Sequence, residues 1–138
     1  MSNDRYQRGW ERLKEIDGEG GERVIESLKD IAPDLGKYVV EFAFGDIYSR
    51  KGLDLKQRQL VTIASLTTQG GCEPQLTVHI NAALNVGLTP NEVIEAITHC
   101  VPYTGFPRVL NAIFVAKQIF EERNLRVTEA LIDNSVIE

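Results

Sequence analysis

The sequence predicts an all-α fold, a helical bundle of about six or seven helices joined by short connections. Apolar residues recur at helical spacing along most of the chain, and no segment keeps the alternation of a strand. Glycine and proline clusters at 17–21, 33, 70–71, 87 and 102–107 cut it into helix-length pieces. Helix-start signals stand at the heads of several pieces, above all Thr89-Pro-Asn-Glu92.

The first piece, Asn3 to Ile16, carries Tyr6, Trp10, Leu13 and Ile16 on one face, with Arg, Glu and Lys between them. Asp17-Gly-Glu-Gly-Gly21 is expected to break it. A shorter helix follows with Val24, Ile25, Leu28 and Ile31 on one side, closed by Ala32-Pro33. The third, Asp34 to about Tyr48, places Leu35, Tyr38, Val39, Phe42 and Ala43 together, with Glu41 on or beside that side. After the basic loop Ser49-Arg-Lys-Gly-Leu53, Asp54 is a plausible N-cap for a helix over Leu55–Thr68. Past its first turn that helix is nearly all apolar or small, through Leu60, Val61, Ile63, Ala64 and Leu66, as expected of a central core helix.

Gly70-Gly71 ends the fourth helix, and Glu73-Pro74 opens the fifth, with Leu76, His79, Ile80 and Ala83 as its stripe and Gly87 at its C′ position. Thr89 as N-cap, Pro90 at the first helical position and Glu92 as capping-box partner start the sixth, which presents Val93, Ile94, Ile97, Cys100 and Val101. Helices five and six form an antiparallel helical hairpin. Residues 101–107 read as a turn region, and the last long helix runs from Pro107 to about Arg123 with Leu110, Ile113, Phe114, Lys117 and Phe120 in register. The tail, 124–138, is ambiguous and is read as a possible arm.

Composition narrows the function classes. With 138 residues the chain fits one domain, 1–138, with a core of useful size. A net charge of −5 argues against a sequence-independent grip on nucleic acid. No long uncharged apolar run suggests a membrane span, and the charged start lacks the apolar stretch of a secretory signal, so a cytoplasmic setting is the default. Cys72 and Cys100 make neither a disulfide framework nor a CxxC pair. With two histidines and no HExxH pattern, a protein-bound zinc is not expected.

One stretch, 69–107, brings a thiol, an imidazole and an apolar wall close together. Cys72 sits at a predicted helix start, where unpaired N–H groups and the helix dipole favour a thiolate. His79 lies on an apolar stripe seven residues later, about 10 Å along the axis at helical rise. That separation disfavours a direct Cys–His nucleophile pair and suits a proton-moving His79 with Cys72 as a pocket wall. The alternative is a histidine satisfied in the core and a cysteine of no special reactivity. Arg50, Arg58 and Arg108 are the candidate carboxylate binders, Arg108 beside Tyr103 and Gly105; each read alone is also an ordinary surface charge. His99 follows Glu95 by four residues and reads as a solvated pair.

Three blocks carry a family resemblance: Arg50-x-Gly-Leu-Asp-Leu-Lys-x-Arg-x-Leu-Val-Thr-Ile-Ala64, His79-x-x-x-Ala-Leu-Asn-x-Gly-Leu-Thr-Pro-x-Glu-x-Ile-Glu95, and Tyr103-x-Gly-Phe-Pro-x-x-x-Asn-Ala112. In order and spacing they resemble the carboxymuconolactone decarboxylase family of the alkylhydroperoxidase D-like superfamily, over roughly residues 30–122, with 1–29 as added N-terminal helices. The resemblance implies an all-α fold and rings of trimers or hexamers. It also implies decarboxylation of a small carboxylated lactone, as in aromatic compound catabolism, without metal or organic cofactor. It aligns His79 with the histidine of the family's central helix and Arg58 with the arginine opening the preceding one.

The superfamily's peroxidase branch carries Glu-x-x-Cys-x-x-Cys-x-x-x-His. Here Cys72 stands seven before His79, but Gln75 replaces the nearer cysteine and Gln59 stands where relatives have glutamate. These departures argue against the two-cysteine mechanism. Three readings follow: a decarboxylase of a small carboxylate using His79 and an arginine; a thiol peroxidase using Cys72, with Cys100 as resolving partner; and a non-catalytic ligand-binding oligomer.

Overall fold

The computed structural model describes residues 2–128, and the tail expected to form an arm lies outside them from residue 129 on. The described chain is all-α: α1 Ser2–Asp17, α2 Glu19–Leu28, α3 Pro33–Tyr38 running into a π-helical stretch Val39–Ile47, then α4 Leu55–Gln69, α5 Glu73–Asn85, α6 Pro90–Thr98, α7 Val101–Thr104 and α8 Phe106–Glu122. No helix among the described residues is long and apolar enough to cross a membrane. The chain forms two compact units, one ending at Arg58 and one beginning at Gln59.

In the first unit α1 packs along the π-helical stretch, and Leu13, Ile16, Ile25, Val40 and Phe44 are buried. The contact is backbone on backbone: a Cβ on Gly9 would fall 1.9 Å from the carbonyl oxygen of Val40, and one on Gly45 3.0 Å from that of Arg5. Arg8 Nε donates to the Gly45 carbonyl at 2.9 Å. Arg5 forks onto Asp46, and this hydrogen bond holds the Asp46 carboxyl below the usual carboxylate range.

Three expectations change here. The break after α1 needs Gly18 alone, at φ 59°, and Gly20 and Gly21 are helical. Val24 and Ile31 are exposed, leaving Ile25 as the buried residue of the predicted α2 face. Leu35, Tyr38 and Phe42 point to solvent, whereas Val40, Glu41, Phe44 and Gly45 face inward. The i→i+5 bonding of a π-helix turns its faces away from the register that a uniform α-helix would give.

In the second unit one core joins α4, α5, α6 and α8, centred on Ile63, Leu76, Ile80, Val93, Ile97 and Ile119. The local signals act as read. Just before the second unit begins, Asp54 Oδ1 accepts from Gln57 N–H at 2.8 Å while Asp54 N–H donates to Gln57 Oε1, a reciprocal cap at the head of α4. The Thr89–Glu92 capping box is complete. Gly87, at φ 104°, ends α5 in a Schellman motif, with Gly87 N–H on the Leu84 carbonyl and Leu88 N–H on that of Ala83. Asn124, at φ 56°, ends α8 in the same way.

Two helices differ from their predicted faces. The buried stripe of α4 is Gln59, Ile63 and Thr67, and Val61 is exposed. In α8 the buried residues are Val109, Ala112, Ala116, Ile119 and Phe120, while Leu110 and Phe114 face outward with Phe106. The turn expected after Val101 contains the one-turn helix α7, closed by Gly105 at φ 90°.

Candidate active site

His79 stands on the inner half of α5, between the buried residues Leu76, Ile80 and Ala83. Its Nδ1 lies 3.2 Å from Oε1 of Gln59, which reaches across from α4 and is fully buried. Burial pushes the imidazole pKa down to about 4, so the ring is neutral near pH 7. The amide nitrogen of Gln59 has no hydrogen-bond partner among the described residues. A fully buried carboxamide with one end idle is costly, because the idle end has lost its water without replacement.

In the sequence, Gln59 stands out only as a departure from the peroxidase pattern. Its spacing from Ile63 and Thr67, at i, i+4 and i+8, was the available signal: a polar residue in register with the inward stripe of α4.

Cys72 is the N-cap residue of α5, with its thiol half-buried and 3.5 Å from the Gly70 carbonyl oxygen. Both cysteines are free. Cys100 is buried, its thiol is 3.4 Å from the Ala96 carbonyl, and burial pushes its pKa up. That environment favours the thiol over the thiolate needed in disulfide exchange.

The arginine and tyrosine candidates separate. Arg50 is exposed, and its carbonyl accepts from Nη2 of Arg58 at 3.0 Å, within the first unit. Arg108 donates from Nη1 to the Thr68 carbonyl at 3.1 Å, and Thr104 Oγ1 donates to the same oxygen at 3.3 Å, so both close the C-terminal end of α4. Tyr103 is 77 % exposed, its ring tilted against that of His99 with centroids 5.9 Å apart. No ion pair joins His99 to Glu95 among the described residues; both instead line a mostly apolar groove of about 600 Å³ whose other wall is Leu60, Val61 and Ala64. His79 does not line that groove.

A neutral imidazole on an apolar helix face, bonded to a non-titrating side chain, can take up and return one proton without a permanent charge. The chain is 38% identical over 119 residues to the 4-carboxymuconolactone decarboxylase of Acinetobacter baylyi, covering 86% of this chain and 88% of that one. It is 32% identical to an uncharacterized 15.0 kDa protein of Paracoccus denitrificans, over 72% of this chain and 75% of that one. It is 31% identical to the nitrosuccinic acid decarboxylase of Metarhizium robertsii, over 75% and 73%. Residues 33–118 match the carboxymuconolactone decarboxylase family as a whole, and the chain belongs to that family.

Proposed function

We propose that the protein decarboxylates a small carboxylated molecule, with His79 as the group that moves the proton. The observation that carries this reading is the neutral His79 imidazole bonded to Gln59. With a pKa of about 4, roughly one ring in 10³ is protonated at pH 7. A substrate carboxylate arriving beside the ring favours the imidazolium, so His79 takes a proton from solvent as the anion binds. The carbon–carbon bond to the carboxylate then breaks, CO₂ leaves, and the electron pair stays on the substrate carbon or an adjoining unsaturated group. The imidazolium returns its proton to that carbon. The net change is R–COO⁻ + H⁺ → R–H + CO₂, and His79 ends neutral.

The acids named for two relatives, a carboxylated lactone and a nitro diacid, both pair a carboxylate with an electron-withdrawing group. The proposed substrate class is therefore a carboxylated lactone, keto acid or similarly activated acid. A guanidinium holds the carboxylate in this reading, and Arg108, in the same unit as His79, is the candidate. The test is CO₂ release, followed by mass spectrometry, from a panel of carboxylated lactones, β-keto acids and nitro acids. Catalysed release that His79→Gln abolishes supports the proposal. No release across the panel, combined with Cys72-dependent consumption of a hydroperoxide in the presence of a dithiol, overturns it in favour of thiol chemistry.

We also propose that the protein works as a homo-oligomer, a trimer or hexamer. Phe106, Leu110 and Phe114 stand at i, i+4 and i+8 on the outer face of α8, at 66%, 46% and 60% exposure. An apolar stripe of that kind is characteristic of an interface.

A further inference from the structure

We propose that Gln59 is a positioning residue for His79: its carboxamide oxygen holds the Nδ1–H tautomer and leaves Nε2 as the atom that takes and returns the proton. The inference rests on the reading of His79 as the proton-moving group, but its first test needs no substrate. A carboxamide oxygen only accepts hydrogen bonds, so a bond between it and Nδ1 places the proton on Nδ1. Nε2 is then the ring's lone-pair nitrogen, and the bond to Gln59 persists unchanged when Nε2 is protonated. One nitrogen is fixed and the other cycles.

The burial of Gln59 argues that the amide is present for this purpose. The residue is fully buried on the inward stripe of α4, where a methionine or leucine of similar volume would pack without leaving an N–H₂ group unpartnered. What the amide adds is an acceptor that never titrates. A glutamate would accept the same bond but would also stabilise the imidazolium, charging His79 before any substrate arrives.

The cause of the depressed His79 pKa is burial. The protonation of His79 is thereby left to the substrate.

The test starts with the wild-type protein. Long-range ¹H–¹⁵N correlation spectra at pH 7 report the histidine tautomers directly, with exposed His99 as internal reference. Protonated Nδ1 and bare Nε2 on His79 are expected, and the reverse assignment overturns the proposal. In Gln59→Glu the His79 pKa should rise by about 1–3 units; an unchanged pKa overturns it. In Gln59→Met, which keeps the volume and loses the acceptor, His79 should become a mixture of tautomers. With a substrate in hand, kcat of Gln59→Met should fall at least about tenfold with KM little changed, whereas a loss confined to KM overturns the positioning role. If the spectra are as expected but His79→Gln keeps full turnover, the proton-transfer reading fails by itself and the hold of Gln59 on the tautomer stands.

Discussion

The side chain of Arg108 lies directly over Gly70: a Cβ built on the glycine would come within 2.6 Å of the arginine Nε. The same arginine donates to the Thr68 carbonyl, two residues earlier at the end of α4. Gly70 also sits at φ 73°, where residues with a side chain are strained. Gly70→Ala therefore meets two penalties, one steric and one of backbone conformation. It should lower stability by about 1–3 kcal/mol in denaturant titration. Adding Arg108→Ala removes the steric part only, so the double variant should be less destabilised than the sum of the two single variants. Strict additivity would show that the close approach carries no energy.

Asp17 and His79 should tilt the pH dependence of stability in opposite directions. Asp17 is buried at the last position of α1, where the helix dipole disfavours an anion, and burial raises its pKa from 3.8 to about 7. Its folded-state pKa lies above its unfolded value, so its contribution is full below about pH 4 and is lost as pH rises through about 7. His79 is depressed from 6.5 to about 4, so its contribution is full above pH 6.5 and is lost as pH falls through about 4. Asp17→Asn should flatten the decline toward neutral pH and raise stability at pH 7.5 by about 1–3 kcal/mol. His79→Gln should remove the opposing slope and leave a curve that falls from pH 4 to 7. Urea titrations at half-unit pH intervals check both, and an unchanged curve in Asp17→Asn would mean that its carboxyl is not desolvated in the folded protein.

His79→Gln preserves a polar side chain and cannot titrate. It should stay folded, with turnover reduced by about 10² to 10⁴. Arg108→Met is the companion variant, read by KM, which should rise if its guanidinium holds the carboxylate.

Leu110→Lys with Phe114→Lys puts two charges into the outer stripe of α8 without touching the buried face formed by Val109, Ala112 and Ala116. The expected result is a smaller species by light scattering with unchanged helicity. Wild-type protein that is monomeric at micromolar concentration would remove the oligomer from the account.

Cys72 should react with limiting iodoacetamide well before Cys100. The first thiol is half-buried at a helix end, whereas the second is buried against the Ala96 carbonyl with a raised pKa. Peptide mapping after brief labelling distinguishes them, and preferential modification of Cys100 would contradict the burial described for it.

Much of this was legible in the chain, because helix ends are written locally. Thr89 with Glu92, Asp54, Gly87 and the Gly70–Gly71 pair each act within a few residues, and each appears where the spacing places it. The faces were harder. In α8 the large apolar residues Leu110 and Phe114 dominate the pattern, yet Ala112 and Ala116 face inward, since small residues let helices approach closely. Periodicity reveals that a face is apolar but not which of two apolar faces meets its own chain. The candidate site was half legible. His79 was recognisable as an imidazole on an apolar stripe, but its partner Gln59 lies twenty residues away on another helix, a pairing that only the fold creates.

The π-helical stretch has a consequence for insertions and deletions. Its wider turns place Gly45 against the Arg5 carbonyl and the backbone of Gly9, where a side chain on Gly9 has no room and one on Gly45 would be tight. Deleting one residue between Val39 and Phe44, with the remaining turns keeping their width, would turn everything downstream by one helical step, on the order of 80–100° about the axis. Asp46 would leave Arg5, the Gly45 carbonyl would leave Arg8, and a bulkier side chain would arrive where α1 needs bare backbone. Chain length across this turn is thus constrained as tightly as residue identity. Among sequence variants of this protein, point changes at the outward positions Leu35, Tyr38 and Phe42 should be accepted by the isolated chain far more readily than any single-residue gap beside them.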